Sequence, residues 1–488
     1  MGPDDCRGTG LKVEWYGKSS ITHKSGWSGL NRHHAPGAAG VDLGRLMQCH
    51  VKSHGVLQFL VILSICASAR NASAGSTEGD FPVEAHVQAT YVRQLKPEFS
   101  AAYSGPKSLI AERAYGYSFT ATAFFGARLG DGWEAYWNPE VTQGVPLSEL
   151  HGLGGFNDGE TQRTAGPTLT GYNARAYVRK TWNLGGEYEE QASEANQVRA
   201  RYAAERVVVT VGAVSVLDIF DALDYSRDPR TQFLNWASLT YGAWDYPADA
   251  RGYTRGAAIE YISPGWQVRA GHFAMPKESN GLALDSGTTQ YGQVVEAEHP
   301  YRIAGRDAVV RGLVFRNRVN AGSFRDALSV ANGGVPDVTQ VRHLQSKSGV
   351  GLSTQVQLTS DIGAYVRAGW NDGDTETYAF TEIDRSLAEG VLLKGGRWGR
   401  GQDSAGLATY FNGLSHDHRD YLAAGGQGFF LGDGRLSYST ERILEAFYSV
   451  GLVRGTSVSA DYQYVTNPGY NRDRGPAHVF SVRAHFEL

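Results

Sequence analysis

Cysteine and methionine are scarce in this chain of 488 residues, with three of each. Three cysteines are too few for a scaffold built on disulfides. Repeated apolar runs of about 20 residues, which a bundle of membrane-spanning helices needs, are missing as well. The formal net charge of −4 lacks the strongly basic balance of nucleic-acid-binding domains, so we expect no nucleic-acid partner. Aromatic side chains make up 11%, and this content, together with that of β-branched residues, excludes a disordered chain. With 61 glycines as well, the composition favours a β-dominated protein.

The one long apolar run lies near the N-terminus, between Gly55 and Ala69. It has the length of the hydrophobic region of a signal peptide and is too short to span a bilayer. Small residues at Ala67-Ser68-Ala69 and Ala72-Ser73-Ala74 offer cleavage sites. All three cysteines precede these sites, so the mature domain has none. We predict an over-extended, unstructured start, a signal peptide region and one folded domain, over residues 1–46, 47–74 and 75–488.

After the leader, apolar and polar residues alternate with a period of two, which predicts β-strands. The segment Gly132–Val141, for example, carries Trp133 and Trp137 on one face and Glu134 and Glu140 on the other. Sixteen segments follow this pattern: 83–93, 116–128, 133–142, 171–183, 204–214, 252–262, 265–276, 290–301, 308–321, 347–358, 361–372, 403–413, 418–430, 441–454, 456–466 and 477–488. Which face points inward is ambiguous for the segments at 308–321 and 418–430, because both of their faces are mixed.

Short and long connections alternate along these segments. The long loops cover roughly 94–115, 143–170, 215–251, 322–346 and 373–402, whereas Gly185–Ala203 is long and charged where a tight turn is expected. Strands of about ten residues with short turns at one end and long loops at the other are typical of outer-membrane barrels. In lipid every backbone N–H and C=O must pair between strands, so such a sheet must close.

The predicted fold is therefore an all-β, transmembrane antiparallel β-barrel of 16 strands, with short periplasmic turns and long extracellular loops. A secreted, soluble β-sandwich or β-propeller is the alternative, since both also alternate. Aromatic residues near strand ends favour the membrane barrel, as an interfacial girdle would; they are Trp133, Trp182, Trp266 and Trp370. The lack of a repeat of 40–50 residues argues against a propeller.

Two neighbouring strands carry the candidate pore-lining and sugar-contacting residues. The inward face of one holds Glu134, Tyr136, Asn138 and Glu140, and that of the next holds Arg175, Tyr177 and Arg179. Opposite charges across a narrow lumen provide hydrogen-bond donors and acceptors, and aromatic faces cover C–H surfaces, so neutral polar solutes such as sugars suit this wall. Alternatively, these charges only solvate a wet lumen.

The loop at 215–251 is the candidate constriction. It is rich in charged and aromatic side chains, namely Arg227, Asp228, Arg230, Trp236, Trp244 and Asp245. Because so many aromatics are costly to leave in water, we expect this loop to fold into the lumen and narrow it. The alternative is an extracellular cap packed on its own aromatics.

Sequence signals for enzymatic chemistry are weak. The triplet His416-Asp417-His418 could contribute metal ligands, but it falls at a predicted turn without a third ligand and is interpreted as solvated. No phosphate-binding glycine loop, nucleophile elbow or zinc-protease motif is present. We expect no catalytic residues, no metal and no cofactor.

Several longer strings resemble the carbohydrate-selective porins of the OprB family, from about residue 85 to the C-terminus. They are FTATAFFGARL (Phe119 to Leu129), NPEVTQG (Asn138 to Gly144), DPRTQFLNWA (Asp228 to Ala237), FTEIDRSL (Phe380 to Leu387), HRDYLAAGG (His418 to Gly426) and NPGYNRDRGP (Asn467 to Pro476). The resemblance implies a sixteen-stranded barrel in the outer membrane of a Gram-negative bacterium, through which sugars diffuse into the periplasm.

The function predicted on this basis is passive, selective diffusion of carbohydrates, in particular monosaccharides such as glucose. The expected partners are these sugars, outer-membrane lipids and the outer-membrane assembly machinery, with a monomer and a trimer both open. The alternatives are a general diffusion porin, a channel specific for carboxylates, and a secreted glycan-binding protein or hydrolase. Inward arginine in excess would favour the carboxylate channel, but the two strands above supply both signs of charge.

Overall fold

Sixteen antiparallel strands form one closed barrel in which each strand pairs with its neighbours in sequence and β1 pairs with β16. The computed structural model describes residues 83–162 and 166–488, so the predicted leader lies outside the described residues. The strands are β1 Val83–Lys96, β2 Ala114–Gly130, β3 Trp133–Val145, β4 Thr170–Gln191, β5 Ala200–Val214, β6 Thr254–Ile262, β7 Gln267–Ala274, β8 Tyr291–Ile303, β9 Arg306–Ala321, β10 His343–Thr359, β11 Ile362–Asn371, β12 Arg385–Lys394, β13 Ser404–Gly413, β14 Glu441–Val453, β15 Thr456–Thr466 and β16 Ala477–Glu487.

Three α-helices lie in the connections: α1 Trp236–Leu239, α2 Phe324–Ala331 and α3 His416–Ala423. Within the described part of the chain, no helix has the length and apolar character needed to cross a membrane. Tight turns follow β2, β6, β8, β10 and β14, longer connections follow β4 and β12, and long loops follow the odd-numbered strands. The barrel therefore has a short-turn end and a long-loop end, as the sequence predicts.

The two faces of the strands differ in a way that fits a membrane barrel. On β9, Val314 points outward and is 52% exposed, whereas its neighbour Leu313 points inward and is buried. The tryptophans predicted to form a girdle are all exposed on the outer face, three near the short-turn end (Trp133, Trp182 and Trp266) and Trp370 near the long-loop end. This burial pattern also resolves the ambiguous register at 308–321, where odd-numbered residues from Arg311 onward are buried and point inward.

One predicted strand is wrong and one real strand was missed, so the total of sixteen is right although its members are not. Residues 418–430 form no strand, because α3 begins there with Ser415 as its N-cap, whose side chain accepts a hydrogen bond from the backbone N–H of His418. The buried residues His418, Tyr421 and Leu422 recur at helical spacing. Both faces of the predicted strand at 418–430 looked mixed because part of this segment is a helix.

The missed strand is β12, within the segment 373–402 that was predicted to be one long loop. Its inward face carries apolar residues, including Ala388 and Leu392, while Glu389 points outward. The outward face is mostly apolar as well, with Leu387, Val391 and Leu393 beside Glu389. The strand therefore lacks the apolar-out, polar-in alternation of a membrane strand, and periodicity did not reveal it. The inward apolar residues pack on residues that enter the lumen from the β5–β6 loop, such as Phe233.

Parts of several long loops fold into the lumen, where only one was expected. The β5–β6 loop (215–253) does so as predicted, and it packs on the β3–β4 loop (146–169) and the β11–β12 loop (372–384). Phe156, Trp236 and Phe380, one residue from each loop, form an aromatic cluster with edge-to-face and stacked contacts. The protein thus has an apolar core inside the barrel, formed by the inserted loops together with inward-facing strand residues such as Phe273 on β7 and Phe315 on β9.

The triplet 416–418 was predicted to be a solvated turn, and this prediction is wrong for His418. Its ring is buried, stacks on Phe324 with ring centroids 4.2 Å apart, and contacts Asp384 Oδ2 through Nδ1 at 2.9 Å. Burial alone would raise the pKa of Asp384, but the adjacent His418 and the more distant Lys347 overcome this effect and lower it to about 2. The pair therefore joins α3 to the β11–β12 loop.

The pH at which the protein unfolds in acid should depend on the contact between His418 and Asp384. Because the folded pKa of Asp384 lies below its ordinary value of 3.8, its stabilising contribution is present above that value and is lost as the pH falls through about 2. The substitution His418→Ala removes the partner, so we expect acid unfolding to begin at a higher pH. The measurement is the fraction of folded, compact band on unheated SDS gels across an acidic series. His416→Ala, an exposed histidine on the same helix, serves as the control, and equal behaviour of the two variants would contradict the assignment.

Candidate permeation site

The β5–β6 loop crosses the lumen and is held by the opposite wall. The backbone N–H groups of Leu234 and Asn235 donate to Glu445 Oε1 on β14, at 2.5 and 3.1 Å. Arg483 on β16 donates from Nη1 to the backbone carbonyls of Pro229 and Gln232, at 2.6 and 2.7 Å. Since the loop leaves the wall at β5 and returns at β6, these contacts fix it across the full width of the barrel.

Three of the predicted constriction residues are anchors of this loop. Trp236 and Trp244 are buried in the aromatic core, where Trp236 stacks on Phe380 with ring centroids 4.7 Å apart. Asp245 is also buried; it accepts hydrogen bonds from the backbone N–H groups of Tyr378 and Ala379 and lies 3.6 Å from Lys347 Nζ. These side chains hold the loop in place and are shielded from the open lumen.

Arg230 is the charged centre of the loop. Its Nε lies 2.7 Å from Glu160 Oε1 on the β3–β4 loop, and its Nη2 lies 3.8 Å from Glu140 Oε2 on β3. Asp228 accepts a hydrogen bond from the backbone N–H of Arg230. The Arg230 side chain keeps 20% of its surface exposed, and Arg227 beside it is exposed. One guanidinium is therefore paired with carboxylates from two different segments, Glu160 and Glu140.

Arg175 forms a second ion pair on the facing wall. Its Nε and Nη2 donate to Asp218 at 2.6 and 2.7 Å, in the bidentate geometry that makes such pairs strong. The guanidinium also lies 5.2 Å from the ring centroid of Tyr253, whose hydroxyl donates to Glu140. Asn138 pairs with Arg175 across the β3–β4 ladder and is fully buried. The two ion pairs are thus linked through Tyr253 and Glu140.

The remaining predicted residues form a third group nearer the short-turn end. Glu134 and Arg179 are cross-strand partners on β3 and β4, with Oε2 and Nη1 3.7 Å apart. Tyr136 stacks on Tyr177 with ring centroids 4.8 Å apart, and the Arg179 guanidinium lies over both rings. The sequence expectation that these two strands are antiparallel neighbours with opposite inward charges matches the geometry.

Sequence reasoning missed four residues of this site, namely Glu160, Tyr172, Asp218 and Tyr253. Tyr172 and Tyr253 both donate a hydrogen bond to Glu140 Oε1. Asp218 and Glu160 come from loops, where no alternation marks a residue as inward. The sequence could have indicated them only as acidic residues in long loops that follow strands with charged inward faces. Among the described residues, no group of three or more His, Cys, Asp or Glu side chains is arranged to hold a metal ion.

A closed sixteen-stranded barrel with an apolar outer surface and a charged lumen narrowed by inserted loops is a porin. The fold is similar to the high-pH structure of Pseudomonas putida OprB, with a TM-score of 0.62 and 15% identity over 83% of this chain and 94% of that one. The low-pH structure of Pseudomonas putida OprB is also similar, with a TM-score of 0.46 and 11% identity over 83% and 93% of the two chains. No curated protein matches the chain.

The family model described as carbohydrate-selective porin, OprB family, matches residues 114–488, and the chain belongs to this family. It is accordingly an outer-membrane porin for the diffusion of carbohydrates.

Proposed function

We propose that the channel selects neutral monosaccharides such as glucose, which cross it passively between the β5–β6 loop and the wall of β3 and β4. The observation that carries this proposal is the pairing of charge at the site. The guanidinium groups of Arg175, Arg179 and Arg230 each face a carboxylate, at distances between 2.6 and 3.7 Å for the nearest atoms. A wall of paired charges offers hydrogen bonds to hydroxyl groups, and the pairing weakens the field that would draw in ions of one sign.

The predicted residues divide into two roles in this proposal. Glu134, Tyr136, Asn138, Glu140, Arg175, Tyr177 and Arg179 form the wall, while Arg227, Asp228 and Arg230 face it from the loop. Of these side chains, Arg175, Arg179, Arg227 and Arg230 retain exposed surface, so they are the groups that would touch a sugar. Trp236, Trp244 and Asp245 are buried on the side of the loop away from the open lumen, and their contacts hold the loop in place.

Liposome swelling tests the selectivity. Purified protein in liposomes should give faster swelling in glucose than in a sugar acid of similar size, because the acid carries a charge that the paired wall does not compensate. Liposomes without protein provide the baseline. Equal rates for the two solutes would contradict selectivity and leave a general diffusion porin.

A pH dependence of ion selectivity is expected from Glu160. Burial raises its pKa to about 7, although Arg230 and Thr120 act in the opposite direction. Above about pH 7 Glu160 is therefore charged and balances Arg230, whereas below it the side chain takes up a proton and the cluster gains positive charge. The reversal potential in a salt gradient across a planar bilayer should shift toward anions on acidification.

The matched variant is Glu160→Gln, which keeps the shape of the side chain and removes its titration. It should show no shift near neutral pH and should resemble the acidified parent protein at every pH. A shift of the same size in the variant would assign the titration to another group.

We further propose that the region 47–74 exports the chain, that the outer-membrane assembly machinery inserts it among outer-membrane lipids, and that transport involves no catalytic step. The apolar run between Gly55 and Ala69 and the small residues that follow it support export. N-terminal sequencing of the protein isolated from outer membranes should give a first residue directly after Ala69 or Ala74. A mature protein that retains residues 47–69 would contradict the assignment.

A further inference from the structure

The connection between β4 and β5 is a projecting hairpin, whose strands form no ladder with the neighbouring strands of the barrel, rather than a tight turn. Pairing of β4 with β3 ends at Lys180, opposite Trp133, and pairing of β5 with β6 ends at Arg206, opposite Ile262. From residue 183 to residue 205, the ladder pairs of β4 and β5 are only with each other. This segment, residues 183–205, extends past the short-turn end of the barrel and is called the hairpin cap below.

The hairpin cap bends where it leaves the barrel. The β4–β5 register shifts twice, between Asn183 and Gly185 and again between Gly185 and Tyr188. Within the second shift, Gly186 has a φ of 88°, a backbone conformation that L-residues with side chains rarely adopt. Irregularities of this kind bend a strand and re-aim its end, so the hairpin can turn back toward the lumen.

The tip of the hairpin cap enters the short-turn mouth of the barrel. Val198 is buried, and its backbone N–H donates to the Tyr136 hydroxyl at 3.3 Å. Three further contacts are with inward-facing groups of β1 and β3: Ser193 Oγ with His86 Nε2 at 2.9 Å, the Arg199 N–H with Glu84 Oε2 at 3.0 Å, and the Tyr202 hydroxyl with Glu134.

Gly126 completes this seat on β2. A Cβ atom at Gly126 would lie 2.6 Å from Cγ1 of Val198, so the glycine provides the space that the valine fills. The cap therefore covers the inner wall of β1, β2 and β3, including Glu134 and Tyr136. Charged side chains on the cap are mostly acidic, with Glu187, Glu189, Glu190 and Glu194 exposed beside Arg199 and Arg201.

We propose that the hairpin cap is a second selectivity element, in series with the β5–β6 loop, which narrows the short-turn mouth and disfavours anions there. The proposal rests on the chain being a porin, but it does not depend on which sugar passes. The cap reduces the cross-section because its tip occupies the lumen side of three strands. Its excess of carboxylates lowers the local concentration of anions.

A shortened variant tests the contribution to permeation. Residues 185–204 are replaced by Asn-Gly, a dipeptide that closes two-residue hairpins, so that Leu184 and Glu205 flank a tight turn. Single-channel conductance in planar bilayers should rise several-fold, and permeability to chloride should rise relative to potassium. Glu187→Gln combined with Glu189→Gln should reproduce part of the change in ion preference without the rise in conductance. An unchanged conductance in a shortened barrel that still migrates as a compact band would overturn the proposal.

A cross-link tests the seat independently of permeation. No cysteine follows residue 66 in the sequence, so Gly126→Cys with Val198→Cys gives one isolated pair at a distance from which a disulfide can close. Oxidation should form the cross-link in most molecules and leave conductance equal to that of the reduced protein, because the cap already occupies this seat. Failure to cross-link, or a cross-link that blocks conductance, would overturn the proposal. None of these outcomes changes the swelling result for the intact protein, so the two proposals can fail separately.

Discussion

Replacing Arg230 with alanine is expected to make the channel strongly cation-selective. The substitution leaves Glu140, Glu160 and Asp228 around a site that has lost its guanidinium. Two unit charges about 4 Å apart interact by ~4 kcal/mol at an effective dielectric constant of ~20, and about 1.4 kcal/mol changes an equilibrium tenfold. Allowing for screening by water in the lumen, we expect the cation-to-anion permeability ratio to rise by about tenfold, measured as a reversal potential in a salt gradient.

The control for this experiment is Arg227→Ala, which removes the same charge from an exposed position three residues away in the same loop. It should change the ratio less than Arg230→Ala does, because the exposed charge of Arg227 is screened more strongly by water than that of the half-buried Arg230. Arg230→Lys should retain the ion preference of the parent but lose sugar flux, since an ammonium group lacks the fork that holds two carboxylates. If Arg230→Ala changed the permeability ratio as little as Arg227→Ala is expected to, Arg230 would not lie on the permeation path.

Replacing Arg367 with alanine is expected to have the largest effect on stability. Its buried guanidinium lies 3.0 Å from Asp221 Oδ2 and donates to the backbone carbonyls of Ser238 and Ser226, at 2.7 and 2.9 Å. All three partners belong to the β5–β6 loop. Removing one member of a buried ion pair leaves the other uncompensated, which costs about 3–5 kcal/mol. The temperature at which the compact band disappears on SDS gels should fall substantially.

The matched control is Arg316→Ala, on the outward face of β9, where the guanidinium contacts only the Ser346 hydroxyl among the described residues. It should unfold at nearly the temperature of the parent. Arg367→Ala should also show noisier conductance, because the loop that it releases narrows the lumen. A similar loss of stability in both variants would contradict an anchoring role for Arg367.

The alternating pattern was sufficient to predict the barrel because lipid and a wet lumen impose opposite polarity on successive residues. It worked best on β3 and β4, where Glu134, Arg179 and their neighbours occupy the faces predicted for them. It failed where the lumen is apolar. The inward face of β12 packs on the inserted loops, so Ala388 and Leu392 point inward there, and a strand in this environment has no polar side to detect.

Only for the strand residues of the candidate site could the partners be predicted from the sequence, because the alternating pattern applies to strands and not to loops. Residues on strands have partners fixed by register, so Glu134 and Arg179 could be paired in advance. Residues on loops have no partners fixed by register. The ion pair between Arg230 and Glu160 joins two loops, and the paths of these loops depend on the folded barrel. The composition of the β5–β6 loop correctly indicated that it would fold inward. It could not separate Arg230, which faces the lumen, from Trp236 and Trp244, which are buried anchors.

The attachment of the β5–β6 loop to the far wall has a consequence for the order in which the protein folds. Arg483 and the carbonyl of Pro229 are 254 residues apart in sequence, and contacts between such distant residues form late because the intervening chain must first be ordered. Glu445 and Arg483 lie on β14 and β16, the same C-terminal part of the barrel that must meet β1 to close it. We therefore expect the loop to reach its final position only as the barrel closes, so that ion selectivity should appear in the last step of assembly and can serve as a test of its completion.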